Sequence, residues 1–84
     1  MVWKKIGFGA FMNCILLNRV IIPSTVITIS SRAFENCYGL TNISIPDSVM
    51  YIGDDAFRNT SIGKTYVASN CVVCGGNYYI YNKK

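Results

Sequence analysis

Cys71-Val-Val-Cys74, followed at once by Gly75 and Gly76, is the spacing in this chain that comes nearest to chemistry. A C-x-x-C pair can hold half of a zinc site, but the other half needs a second pair or imidazoles, and the chain has no His. A dithiol redox motif needs a strand and a helix around it to lower one thiol pKa, and nothing adjacent reads that way. What remains is a local bridge or two free thiols near the end of the chain.

The other reactive groups are as sparse. The acids are Glu35, Asp47, Asp54 and Asp55, and the adjacent Asp54 and Asp55 fit the start of a helical turn better than a catalytic pair. Without His, the serines have no base to activate them, and no glycine-rich phosphate loop is present. The expectation is therefore no enzyme activity, no cofactor and no metal. The net charge of +4 comes from Lys4, Lys5, Arg19, Arg32, Arg58, Lys64, Lys83 and Lys84, spread along the sequence rather than gathered on one stripe. That scatter argues against nucleic acid as a partner.

With half of its 84 residues apolar and 14% charged, the chain is a folder rather than a disordered tail. At this size a core needs unusually regular packing. No apolar run reaches the ~20 residues that span a bilayer as a helix. The opening MVWKKIGFGAFMNCILLNRV has the outline of a secretion signal, with lysines ahead of an apolar run.

The regularity comes from a repeat. PSTVITISSRAFENCYGLTNISI (23–45) aligns without a gap on PDSVMYIGDDAFRNTSIGKTYVA (46–68), through Pro23/Pro46, Val26/Val49, Ile29/Ile52, Ala33/Ala56, Phe34/Phe57 and Asn36/Asn59. The same register reaches back to Ile6, Ala10, Phe11, Asn13, Cys14 and Leu17. A signal needs only bulk hydrophobicity, so the opening stretch reads as a truncated first repeat (1–22). Stacked repeats put Phe11, Phe34 and Phe57 in one column and Asn13, Asn36 and Asn59 in another. The asparagine column has a structural use, although Asn42-Ile43-Ser44 and Asn59-Thr60-Ser61 also fit the glycan acceptor sequon.

The residues Ile45-Pro46-Asp47-Ser48-Val49, Ile52-Gly53 and Ala56-Phe57, preceded by Ala33-Phe34, Cys37, Leu40, Ile43 and Ile45, resemble the BspA-type leucine-rich repeat. The resemblance runs from residue 6 to about 68 and departs at Trp3, at Ser30 and after Thr60. It implies a single leucine-rich-repeat domain over 1–84, mainly β, a solenoid of about three coils with short helical turns and a C-terminal cap. The divisions are 1–22, 23–45, 46–68 and the cap 69–84.

Within a coil, Leu40–Ile45 reads as a half-buried strand ended by Pro46, and Val49–Ile52 as a second strand. Ser31 or Asp54 would cap a helical turn holding Ala33-Phe34 or Ala56-Phe57. Cys14 and Cys37 share one position and are expected to be buried. Strand alternation points Arg19, Asn42 and Lys64 outward in one row, and Ile21, Ser44 and Tyr66 in a second, with one residue deleted before Lys64. These six are the candidate partner-binding residues. Exposed Ile27 and Met50, beside Lys4, Lys5, Thr28 and Tyr51, form a rival patch. The tail from Asn77 to Lys84 reads as a last strand.

The resemblance implies a non-enzymatic interaction module that holds a protein, such as a host or cell-surface protein, in adhesion or partner binding, at a cell surface or secreted. The alternative is a structural piece, a self-associating cap of a longer repeat array, dimerising through its N-terminal coil edge.

Overall fold

The computed structural model describes residues 3–84; Met1 and Val2, where the truncated first repeat begins, lie outside the described residues. The chain is a succession of short strands and tight turns, and no helix occurs among the described residues. Eight strands follow in order: β1 Lys5–Ile6, β2 Arg19–Ile21, β3 Thr28–Ile29, β4 Asn42–Ser44, β5 Tyr51–Ile52, β6 Thr65–Val67, β7 Val72–Val73 and β8 Ile80–Asn82.

Stacking of the repeats makes three parallel sheets. In the largest, β1, β3, β5 and β7 lie side by side, with Ile6 against Ile29, Ile29 against Ile52, and Ile52 against Val73. The strands β2 and β4 pair on a second side of the coil, and β6 pairs with β8. Pro23 and Pro46 leave the strands β2 and β4 and open the next turn, where their carbonyls accept the N–H of Val26 and Val49 at 3.1 Å. That is the place for a residue without its own N–H.

The core sits inside the coil stack, and its best-covered part is coil 2. Val26, Ile29, Ala33, Phe34, Cys37 and Leu40 are wholly inaccessible, because coils 1 and 3 close over both sides. The rings of Phe11, Phe34 and Phe57 stack at centroid distances of 5.2 Å, tilted by 6° and 8°. The asparagine column is a hydrogen-bonded ladder, Asn59 Nδ2 to Asn36 Oδ1 and Asn36 Nδ2 to Asn13 Oδ1, each 2.9 Å. Both columns follow from placing one residue type every 23 positions in a parallel stack.

The expected helical turns are absent, and the backbone shows why. From Arg32 to Cys37 the N–H groups alternate in direction. Those of Arg32, Phe34 and Asn36 donate to Asp54, Ala56 and Arg58 in the next coil, at 2.8 to 3.0 Å. Those of Ala33, Glu35 and Cys37 donate three residues back, to Ser30, Arg32 and Phe34. A helix would keep every N–H within its own segment, so stacking and helix formation compete for the same donors. Stacking wins, and the segment becomes three overlapping β-turns. The third residue of the first and last of these turns takes positive φ, Arg32 at 59° and Asn36 at 63°, with Gly9, Asn13, Asp55 and Asn59 at the equivalent places. Ser31 and Asp54 accordingly cap no helix.

Candidate binding surface

The two outward rows begin as the alternation requires. Arg19 faces Asn42 and Ile21 faces Ser44 across the β2–β4 pair, and all four are exposed. The third member of each row does not join them. Lys64 lies just ahead of β6, and β6 pairs with β8 instead of β4, so Tyr66 stands beside Tyr81. The cause lies in the Asn59–Gly63 segment, where the register shifts. Ser61 donates its N–H to Leu40 at 2.9 Å, and Ile62 rather than a strand residue fills the interior.

That shift assembles a different surface. Tyr66 and Tyr81 place their ring centroids 5.9 Å apart at 36°, and remain 53% and 41% exposed. Tyr79, in the turn that leads into β8, is also exposed, and Ile80, the first residue of β8, is turned into the core. The strand beneath is firmly tied. Tyr79 accepts the Thr65 N–H at 2.8 Å, and Asn82 Nδ2 reaches the carbonyls of Ala68 and Cys71 at 2.9 and 2.8 Å. Lys83 adds a 2.8 Å ion pair to Asp47. The signal in the sequence was the Tyr79-Ile80-Tyr81 alternation; what it lacked was the strand that Tyr81 would meet, fifteen residues away rather than twenty-three.

The four cysteines are free thiols. Cys37 is buried and donates to the Phe11 carbonyl at 3.0 Å, whereas Cys14 is exposed, against the expectation for that column, because no coil among the described residues covers its side of coil 1. Burial pushes the Cys37 thiol pKa up, and does the same for Cys71, to which the neighbouring Cys74 adds. A raised thiol pKa is the reverse of what a redox nucleophile requires. Among the described residues no three ligating side chains gather into a metal site. Asp54 and Asp55 line an open groove of about 600 Å³ with Phe8, Ser31, Arg32 and Gly75. Asp54 Oδ1 is engaged there by the Gly75 N–H at 3.1 Å. Ile27 is exposed and Met50 half-buried, so the rival patch is thinner than the alternation suggested.

Parallel coils with one ladder of strands running through all of them, a stacked phenylalanine column and an asparagine ladder define a repeat solenoid. The family model for the BspA type leucine rich repeat region matches residues 4–84, with six copies. The chain belongs to the BspA-type leucine-rich-repeat family. Its fold is similar to that of a leucine-rich repeat protein from Bacteroides ovatus ATCC 8483, at 23% identity and a TM-score of 0.60. The match covers 94% of this chain and 28% of that one, so the chain spans under a third of the length of that protein. The comparison with curated proteins finds no match.

Proposed function

We propose that the chain is a non-enzymatic protein-interaction module that works in adhesion or partner binding at a cell surface, and that the Tyr66–Tyr81 face is where it holds its protein partner. The observation that carries this reading is the exposed tyrosine pair on a tied-down strand pair, with the exposed Lys64 just ahead of β6. Tyrosines held on rigid strands give up little conformational entropy on binding and offer both an apolar ring and a hydroxyl, which is why they dominate interface energetics. Arg19, Ile21, Asn42 and Ser44 lie on another strand pair and extend the contact in this reading.

The test is binding of the labelled chain to cultured epithelial cells by flow cytometry, with untreated, protease-treated and deglycosylated cells as arms. The reading requires saturable binding that protease treatment removes, deglycosylation leaves, and the Tyr66→Ala/Tyr81→Ala variant lacks. Binding unaffected by the double substitution, or no binding to untreated cells, removes the reading.

A further inference from the structure

The side of the stack that carries β2 and β4 is split before it reaches β6. Most Cα pairs between β4 and β6 lie more than 8 Å apart. Hydrogen-bonded strands stand about 4.8 Å apart. The two strands still belong to one side of the stack. Thr65, Tyr66 and Val67 repeat the burial order of Ile43, Ser44 and Ile45, which is half-buried, exposed, buried. Ahead of them the Ser61 N–H donates to Leu40 at 2.9 Å, and beyond them Lys83 Nζ meets Asp47 at 2.8 Å. A slit as long as these three-residue strands therefore opens in the interior of the stack, between coils 2 and 3, and is tied shut at both ends.

Both walls of the slit are unpaired backbone. Asn42 gives its N–H to Asn18 at 3.4 Å, so alternation turns Asn42 and Ser44 to β2, and the N–H and C=O of Ile43 to the slit. On the other wall the Thr65 N–H goes to Tyr79 and the Val67 carbonyl accepts from Lys83, each at 2.8 Å. The N–H and C=O of Tyr66 accordingly face the slit. Among the described residues neither Ile43 nor Tyr66 finds a main-chain partner there. The floor is open too. Ile43 is only half-buried, although Leu40 and Ile45 to either side are buried and Val26, Ile29 and Phe34 of the same coil are wholly inaccessible. The Tyr66 ring leans on Tyr81 and leaves the mouth clear.

Unpaired strand edges take up another strand, and here two of them face each other. We infer that the slit takes a short extended segment of a partner protein, added as a parallel strand between β4 and β6, with a β-branched apolar residue turned inward over Ile43 and an acidic residue just before it turned outward toward Lys64. In that register the residues before and after the inward one accept from and donate to Ile43. The inward residue and the second one after it do the same for Tyr66, so all four open groups are met. The acid follows from charge: the outward row of Arg19, Asn42 and the exposed Lys64 holds two cations and no carboxylate. The inference rests on the protein-binding reading above and gives its binding mode, since the added strand joins the β2–β4 rows to the tyrosine face. Its test uses a peptide and backbone amides instead of cells, so the two fail separately.

The probe is the acetylated, amidated pentapeptide of residues 41–45 carrying Asn42→Glu, titrated into the full 84-residue chain with amide hydrogen exchange read by NMR. In the free chain the Ile43 and Tyr66 amides should exchange fast beside that of Phe34, which is bonded to Ala56 at 2.8 Å. Millimolar peptide should slow both on the order of tenfold or more. Methylating the peptide's Ser44 nitrogen, the donor to the Ile43 carbonyl, should abolish the effect. Lys64→Glu in the chain should weaken peptide binding about threefold or more. Slow exchange of Ile43 and Tyr66 in the free chain, or no added protection at millimolar peptide, overturns the inference. So does an equal response to the methylated peptide, or protection that appears at Arg19 and Ile21 instead.

Discussion

Asn77 Oδ1 accepts the Phe57 N–H at 3.1 Å, in the place where the main-chain carbonyls of Ala33 and Ala56 serve Phe11 and Phe34. A side-chain amide thus stands in for the coil that would come next. The same amide's Nδ2 donates to the carbonyls of Gly53 and Cys74, each at 2.9 Å. Asn77→Ala is expected to cost about 2–4 kcal/mol, since it strands buried backbone groups. Asn77→Asp keeps the acceptor but turns a second, negatively charged oxygen toward those two carbonyls at a buried position, so its unfolding midpoint in urea at neutral pH should fall at least as far as that of Asn77→Ala.

The phenylalanine column predicts an order of sensitivity. Phe34 is wholly inaccessible between two rings, whereas Phe11 has one open face. Phe34→Ala should cost about 3–5 kcal/mol, a large share of the stability of a small domain. Phe11→Ala should cost clearly less. Where Phe34→Ala leaves too little folded protein to measure, Phe34→Leu against Phe11→Leu gives the same ordering by thermal unfolding.

Asn36 combines two duties that substitution can separate. It holds φ at 63° and sits mid-ladder between Asn13 and Asn59. Asn36→Gly keeps the backbone conformation and loses the ladder; Asn36→Ala loses the ladder and adds left-handed strain of about 1 kcal/mol. Equal midpoints for the two variants would show that the backbone conformation carries no cost here.

Gly53 needs to be glycine for space. A Cβ there would lie 2.5 Å from the Ser31 nitrogen of the preceding coil, and backbone cannot swing aside as a side chain does. Gly53→Ala should destabilise by more than about 2 kcal/mol. Gly63→Ala, with open space around it, should be nearly neutral in the same urea titration.

The thiols predict both a reactivity order and a pH slope. Cys14 should react first with a disulfide reagent on the native chain, and Cys37 and Cys71 only on opening. Both buried thiols have pKa values raised above the ordinary 9.0. The folded chain therefore keeps protons that the unfolded chain releases, and their contribution is complete below that value and lost as pH rises through the raised ones. The midpoint should fall as the pH rises above about 9, and fall less in Cys37→Ala and Cys71→Ala.

The sequence made the stack legible because its register depends on side chains that repeat: Ile6, Ile29 and Ile52 meet where the spacing puts them. It misled at Ala33-Phe34, where apolar residues beside a good cap resemble a helix start. The deciding quantity there is which backbone each N–H faces, and only Asn36, at ease with positive φ, hinted at it. It also misled at Lys64 and Tyr66, since pairing β6 with β8 rests on the path of the Ser61–Gly63 segment rather than on any repeat. Cys14 went astray for a third reason: equal positions have equal burial only where both neighbouring coils are present.

The alternation of N–H direction in the turns gives coil 2 a special status. It accepts from coil 1 through the carbonyls of Ser31, Ala33 and Glu35 and donates to coil 3 through the N–H groups of Arg32, Phe34 and Asn36, so the joint on one side repeats the joint on the other. A duplication or loss of one whole unit between Pro23 and Pro46 would leave every remaining contact with a familiar counterpart. Array length in such a molecule can therefore change by genetic slippage in steps of one coil, while both ends stay chemically as they were.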